Sequence, residues 1–239
     1  MKDLKAQFDA FQVDGFAVLE NVYSPGEINL IVAAIDEAEQ SNSSFRRTRD
    51  LFAIRRVLKE IPSLAPLLFN QKLKQLINAF GSKYFLIKSI YFDKPERSNW
   101  FVAWHQDLTI SVERQVEFPG FTHWTKKFDQ YAVQPPVNIL ESSIIIRIHL
   151  DNADENNGAL KVIPGSHSKG VLRAETIDFE LTKSQTCPVE AGGILLIRPL
   201  LMHASDRTIS NNRRRVIHLE FNSIELPGEL EWAERMPFN

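Results

Sequence analysis

The chain carries His105-Gln106-Asp107 and, far downstream, His203. On an extended strand, side chains two positions apart project to the same face. An imidazole and a carboxylate can therefore converge from one short segment. A histidine from a distant strand would complete a facial set of three donors and leave three octahedral positions open. That donor set suits non-haem Fe(II). Two histidines and a carboxylate with an open position also suit catalytic zinc. His-x-Asp alone is a weak pattern, so its surroundings decide.

The donors need strands to carry them, and from Lys83 onward the pattern is that of strands. Tyr84 to Phe92 is β-rich, and Asn99 to Ile110 contains the His-x-Asp. Ser143 to Leu150 alternates, with Ile144, Ile146, Ile148 and Leu150 on one face and Ile145, Arg147 and His149 on the other. Gly193 to Ile197, Leu200 to Ala204 and Arg215 to Phe221 follow. Asn156-Asn157-Gly158, Pro164-Gly165-Ser166 and Ala191-Gly192-Gly193 supply turn chemistry between them.

The first third reads as mostly helical. Leu4, Phe8 and Phe11 sit at helical spacing, and Asp14-Gly15 breaks into a short strand, Phe16 to Leu19. Ser24-Pro25-Gly26-Glu27 predicts a capping box with proline in the first turn, followed by the stripe Ile28, Ile31, Val32 and Ile35. Asn70 is placed to cap a helix with the face Leu73, Leu76, Ile77 and Phe80, ended by Gly81. Helices followed by many short strands predict an α+β, mainly β, domain built on a β-sandwich.

Two segments carry alternative readings. Ser41 to Lys59 holds Arg46, Arg47, Arg49, Arg55 and Arg56, either as a solvated basic face or as a rim that attracts an anionic substrate. Ser111 to Glu141 mixes Phe118, Phe121, Trp124, Phe128 and Tyr131 with polar residues and Pro119, Pro135 and Pro136, without a clean period. It reads as a long aromatic loop, either a lid over a pocket or a loop pinned to the surface.

The 239 residues are 44% hydrophobic, enough for a sizeable core. A net charge of −2 gives no electrostatic case for nucleic acid or an anionic membrane. No apolar run reaches the roughly 18 residues of a membrane span, and the N-terminus lacks an apolar signal core. A cytoplasmic location is the default expectation. Cys187 is the only cysteine, so no intrachain disulfide can form, and it is expected to be inert.

Four motifs in order resemble the phytanoyl-CoA dioxygenase family of Fe(II)/2-oxoglutarate oxygenases. They are Trp104-His105-Gln106-Asp107, Asn157 to His167 (NGALKVIPGSH), Arg198 to Ser205 (RPLLMHAS) and Arg213 to Phe221 (RRRVIHLEF). The resemblance implies a double-stranded β-helix, a jelly roll with helices on one sheet. It implies one domain over residues 1–239, with a helical part over about 1–82, a core over about 83–222 and a tail over 223–239. It makes His105, Asp107 and His203 the iron ligands. Arg214, eleven residues beyond His203, becomes the anchor of the co-substrate 2-oxoglutarate, with Ser205 assisting. Arg147 stands where relatives often carry an aromatic beside the co-substrate, so it is either a second carboxylate clamp or a substrate contact. Strand parity poses a choice here. Arg213 and Arg215 share a face with Ile217, Leu219 and Phe221, whereas Arg214 shares one with Val216, His218 and Glu220. An apolar inward face would select Arg213 or Arg215; a partly polar pocket face selects Arg214.

The implied activity is hydroxylation of a small molecule by dioxygen, with release of succinate and carbon dioxide. Asp107 favours oxygenation, since related halogenases lack this carboxylate. The alternatives are a non-catalytic metal-binding jelly-roll protein and a zinc enzyme; a hydrolase would not need Arg214. His167 is expected to serve its turn and His123 to be exposed. His149 and His218 either line the pocket or sit in the core. Arg147, His149 and His218 on the pocket face point to a small polar or anionic substrate.

Overall fold

The computed structural model describes residues 2–38, 45–47, 52–98, 100–127, 129–178 and 182–238. Arg49 and Phe128 lie outside them. Its centre is a seven-stranded sheet built from β1 (Phe16–Leu19), β2 (Phe45–Arg47), β3 (Phe52–Arg55), β4 (Phe85–Lys94), β9 (Ile144–His149), β12 (Ile194–Ile197) and β14 (Arg214–Asn222). The strand order is β1-β12-β9-β14-β4-β3-β2. A smaller sheet, in the order β11-β10-β13-β5, is formed by β5 (Val102–His105), β10 (Leu160–Val162), β11 (Gln185–Cys187) and β13 (His203–Ser205). All pairings are antiparallel. The architecture is the double-stranded β-helix.

The local rules that start the helices hold. Helix α1 spans Lys2–Asp14, and Gly15 at φ +83 turns it into β1. A side chain at Gly15 would collide with the His167 ring, which therefore packs on this turn as a structural residue. Helix α2 (Pro25–Asp36) opens with the full capping box. The Ser24 backbone N–H donates to Glu27 at 2.8 Å, and the Glu27 N–H donates to Ser24 Oγ at 3.3 Å. Such a cap contributes about 1 kcal/mol. Asn70 caps α5 (Gln71–Phe80) by accepting from the Leu73 N–H at 2.9 Å. The short helices α3 (Val57–Glu60) and α4 (Leu64–Leu68) lie between them.

The alternation of β9 sorts its residues as expected. Ile144, Ile146 and Ile148 face the helices and pack with Ile31, Ile35, Leu73 and Ile77, while Ile145 faces the smaller sheet with Leu160, Val162 and Leu195. Both faces of the large sheet are covered, so both carry apolar residues.

One expectation is corrected, and two further segments join the fold. The basic segment is not merely a charged face between helices: β2 and β3 form a hairpin that extends the large sheet beyond β4. The segment 111–141 is not a loop. With Ile110 it forms β6 (Ile110–Val112), β7 (Thr122–Lys127) and β8 (Gln130–Gln134), a sheet in the order β6-β8-β7, followed by α6 (Val137–Glu141). Its aromatics fill a separate core: Phe121 is buried with Ile110, Val133 and Trp232, and Phe118, Trp124 and Tyr131 pack against them. The C-terminal residues are also structural. Trp232 bridges Val112, Met236 bridges Leu86, and Glu234 accepts from the Ser89 N–H and hydroxyl.

Candidate active site

His105 ends β5 and His203 begins β13, and the two are direct partners in the antiparallel ladder. Asp107 lies just past the end of β5 rather than on it. It is fixed by its own N–H, which donates to Pro199 O at 2.9 Å. The intervening Gln106 turns the other way. Its Nε2 donates to Leu200 O at 2.6 Å and Gly170 O at 2.9 Å, and its Oε1 accepts from the Leu172 N–H at 2.7 Å. This clamp keeps His105 and Asp107 on one side of the chain.

The three side chains converge. His203 Nε2 is 3.7 Å from Asp107 Oδ2, and His105 Nε2 is 3.9 Å from Oδ1. One ligand atom from each residue lies within 4.8 Å of the others. Each imidazole Nδ1 sits 2.8 Å from a backbone carbonyl, Ala103 O for His105 and Leu201 O for His203. A carbonyl can only accept, so it fixes the proton on Nδ1 and leaves the Nε2 lone pair facing the cavity. Burial works against charge on Asp107, but His203, His218, His105 and Lys88 outweigh it and hold the carboxyl at about 2. Burial pushes His203 down to about 4, against the pull of Asp107. At neutral pH both groups are in the form that binds a metal.

The donors open into a cavity of about 240 Å³ between the two sheets. Its large-sheet wall comes from alternate residues of β4 and β14. Lys88, Ile90, Phe92 and Lys94 line it from β4, and Arg214, His218 and Glu220 from β14. This settles the parity question in geometry. Arg213 is taken by Asp93, with Nε to Oδ1 at 2.8 Å, and Arg215 by Asp151, with Nε to Oδ2 at 2.8 Å, both away from the cavity. Arg214 is buried and lines the cavity, and its Nε has no hydrogen-bond partner among the described residues. Burial, with the like charge of Arg147 added, brings it down to about 9, so it remains a cation at neutral pH with no ion-pair partner among the described residues. An unpaired buried cation is costly. A planar fork of this kind matches a carboxylate.

Ser205 lines the cavity from β13 of the smaller sheet and donates to Gly158 O at 2.8 Å. Arg147 lines the floor, where it contacts His218 Nδ1 at 3.3 Å and leaves Nε without a partner. His218 Nε2 is 2.9 Å from Glu220 Oε1, which also accepts from Lys88 Nζ at 2.8 Å. His218 thus lines the pocket. His149 does not: it is buried beside Arg147 and Arg214, and neither ring nitrogen has a partner. His123 is exposed, and Cys187 is buried with its thiol pushed up to about 12, so it is inert.

Sequence reading missed Lys88, Lys94, Trp100 and Glu220. Lys88, Ile90, Phe92 and Lys94 share one parity, which was the available signal. Lys94 is buried, with Nζ donating to Asp206 O and lying 5.7 Å from the Trp100 ring centroid. Burial and then Arg214 lower it to about 7. Of the basic segment, Arg56 is bound to Asp129 at 2.7 Å. No described residue of 111–141 lines the metal-donor cavity.

Residues 11–216 match the phytanoyl-CoA dioxygenase (PhyH) family model. The chain belongs to the phytanoyl-CoA dioxygenase family. It is therefore a 2-oxoglutarate-dependent dioxygenase, with iron and 2-oxoglutarate as its cofactors. It is 22% identical to the ectoine dioxygenase of Bordetella bronchiseptica, over 92% of this chain and 75% of that one. Among solved structures it resembles AviO1 from Streptomyces viridochromogenes, with a TM-score of 0.68 and 20% identity, covering 95% of this chain and 98% of that one. It also resembles HygX from Streptomyces hygroscopicus, solved with nickel, 2-oxoglutarate and hygromycin B bound. That match has a TM-score of 0.66 and 17% identity, covering 94% of this chain and 92% of the other. Among the described residues of this family member, no helix is long and apolar enough to cross a membrane.

Proposed function

We propose that this family member hydroxylates a small molecule, with succinate and carbon dioxide released from 2-oxoglutarate. His105, Asp107 and His203 hold Fe(II), and Arg214, assisted by Ser205, takes the far carboxylate of 2-oxoglutarate. The observation that carries this reading is the pairing, in one cavity, of three pre-oriented donors with a buried arginine that lacks an anion.

The residues present fit both groups. The Nε2 edges of both imidazoles face the cavity, and Asp107 and His203 are already in the metal-binding form at neutral pH. Arg214 supplies parallel N–H donors from the facing, large-sheet wall of the same cavity. When bound, iron supplies dioxygen activation coupled to oxidation of the 2-oxo acid. The protein positions and shields. Gln106 locks the His105–Asp107 turn, and the Ala103 and Leu201 carbonyls hold the imidazole rings in orientation. Asp107 occupies the position that a halide would need, which favours transfer of oxygen.

The unpaired Arg214 argues against a zinc hydrolase and against a metal site without catalysis, because neither uses a buried guanidinium there. The test is turnover under ¹⁸O₂ with candidate metabolites, read by mass spectrometry. The reading expects succinate release matched by a product carrying one labelled oxygen. Succinate release with an isomerised or desaturated product would replace hydroxylation with another oxidation.

A further inference from the structure

The wall formed by Lys88 and Ile90 has a second side. The same two side chains bound another cavity of about 160 Å³, whose remaining walls come from β3 and from the β6-β8-β7 sheet. The two spaces therefore lie on the same face of β4 and adjoin at these two side chains. Apart from Ile90 and Ala132, the lining of the second cavity is polar. Arg55 and Lys127 bring positive charge, Ser111, Thr125 and Tyr131 bring hydroxyls, and among the described residues no carboxylate lines it.

Charge balance in the metal cavity points the same way. Glu220 neutralises Lys88 at 2.8 Å. A divalent metal with Asp107, and the dianion 2-oxoglutarate with Arg214, together carry no net charge. Arg147 then remains as an uncompensated buried cation, with Nε still lacking a partner. Positive potential thus persists beside a polar annex that has no acid of its own, and such a field favours anions.

We propose that this annex is the substrate subsite and that it takes a small hydroxylated anion, a carboxylated or phosphorylated polyol. The anionic group lies against Lys127, and the hydroxyls meet Ser111, Thr125 and Tyr131. The remainder of the molecule crosses the Lys88–Ile90 wall toward the metal donors. A fatty acyl chain would find almost no apolar surface there. This inference rests on the oxygenase reading above.

The test uses the full chain loaded anaerobically with Fe(II) and 2-oxoglutarate, whose charge-transfer band reports the loaded site. Glycerol 3-phosphate and gluconate serve as anionic probes, glycerol and glucose as neutral counterparts, and octanoate as an apolar acid. Binding is read by calorimetry and by the shift of the band. The expected result is that an anionic polyol binds at least about ten-fold more tightly than its neutral counterpart or octanoate, the scale of one charge-assisted hydrogen bond. Lys127→Ser, on an exposed strand position, should remove most of that preference while the band forms at unchanged 2-oxoglutarate concentration. Equal binding of the neutral probes, tighter binding of octanoate, or an anion preference indifferent to Lys127→Ser would overturn the proposal. No band in the wild-type protein would instead bring down the oxygenase reading, and this inference with it.

Discussion

His105 and His203 face each other across one rung of the β5–β13 ladder, with ring centroids 4.2 Å apart. Each ring is held from behind by the carbonyl two residues earlier. The metal-binding edge is thus built into strand pairing and does not depend on loop placement. Asp107 completes it from just beyond the strand end.

This arrangement predicts that His203→Ala loses metal while keeping the fold. Deleting a buried imidazole costs about 1–3 kcal/mol of stability. Fe(II) affinity, followed by equilibrium dialysis, should fall much further. Retained wild-type affinity in both His203→Ala and Asp107→Ala would remove these residues from the metal site.

The three consecutive arginines should separate cleanly. Arg214→Lys loses the fork and should weaken 2-oxoglutarate about ten- to a hundred-fold, the equivalent of roughly 1.5–3 kcal/mol. Arg215→Lys breaks the bidentate geometry with Asp151 and should cost about 1 kcal/mol of stability or less, with 2-oxoglutarate affinity preserved. Co-substrate titrations and denaturant melts on both variants check this. The reverse pattern would reassign the anchor.

Much of this geometry is legible in the sequence because local rules and burial agree there. The Ser24–Glu27 box, the Asn70 cap and the isoleucine alternation of β9 each follow from one short stretch. The β6-β8-β7 sheet is not legible. Its strands are short, and β7 shifts register between Thr122 and Thr125, which destroys period two. The β2–β3 hairpin is masked by arginines whose charge reads as surface. Arg214 is ambiguous from parity because the large sheet is covered on both faces, so apolar residues mark neither side as inward. The relay from Arg147 through His218 to Glu220 depends on the register of β9 against β14, which no local pattern encodes.

Gly158 packs closely at the Ser205–Lys94 end of the cavity. It sits at φ +78, and a Cβ there would come within 2.5 Å of Asp206 O and 2.6 Å of Lys94 Nζ. Gly158→Ala should destabilise the protein by about 1–3 kcal/mol and displace the wall that carries Ser205. A melt and a 2-oxoglutarate titration should therefore both worsen. A variant with wild-type values in each would show that the turn has room.

Lys94 gives the site a pH dependence. It is protonated below about 7 and largely neutral above. A cation beside Arg214 strengthens binding of a dianion, so 2-oxoglutarate affinity should decline as pH rises through about 7. Lys94→Met should flatten that decline between pH 6 and 8, an interval set around the shifted value. An equally steep profile in the variant would assign the dependence to another group.

The central claim is that the His105–Asp107–His203 set and Arg214 hold the two ends of one co-substrate. An anaerobic Fe(II) titration with 2-oxoglutarate, followed by the metal-to-ligand charge-transfer band, tests it most directly. The account predicts a saturable band in the wild type that is absent in His203→Ala. In Arg214→Lys the band should appear only at about ten- to a hundred-fold higher 2-oxoglutarate. A band that persists in His203→Ala, or saturates at wild-type concentration in Arg214→Lys, would contradict it.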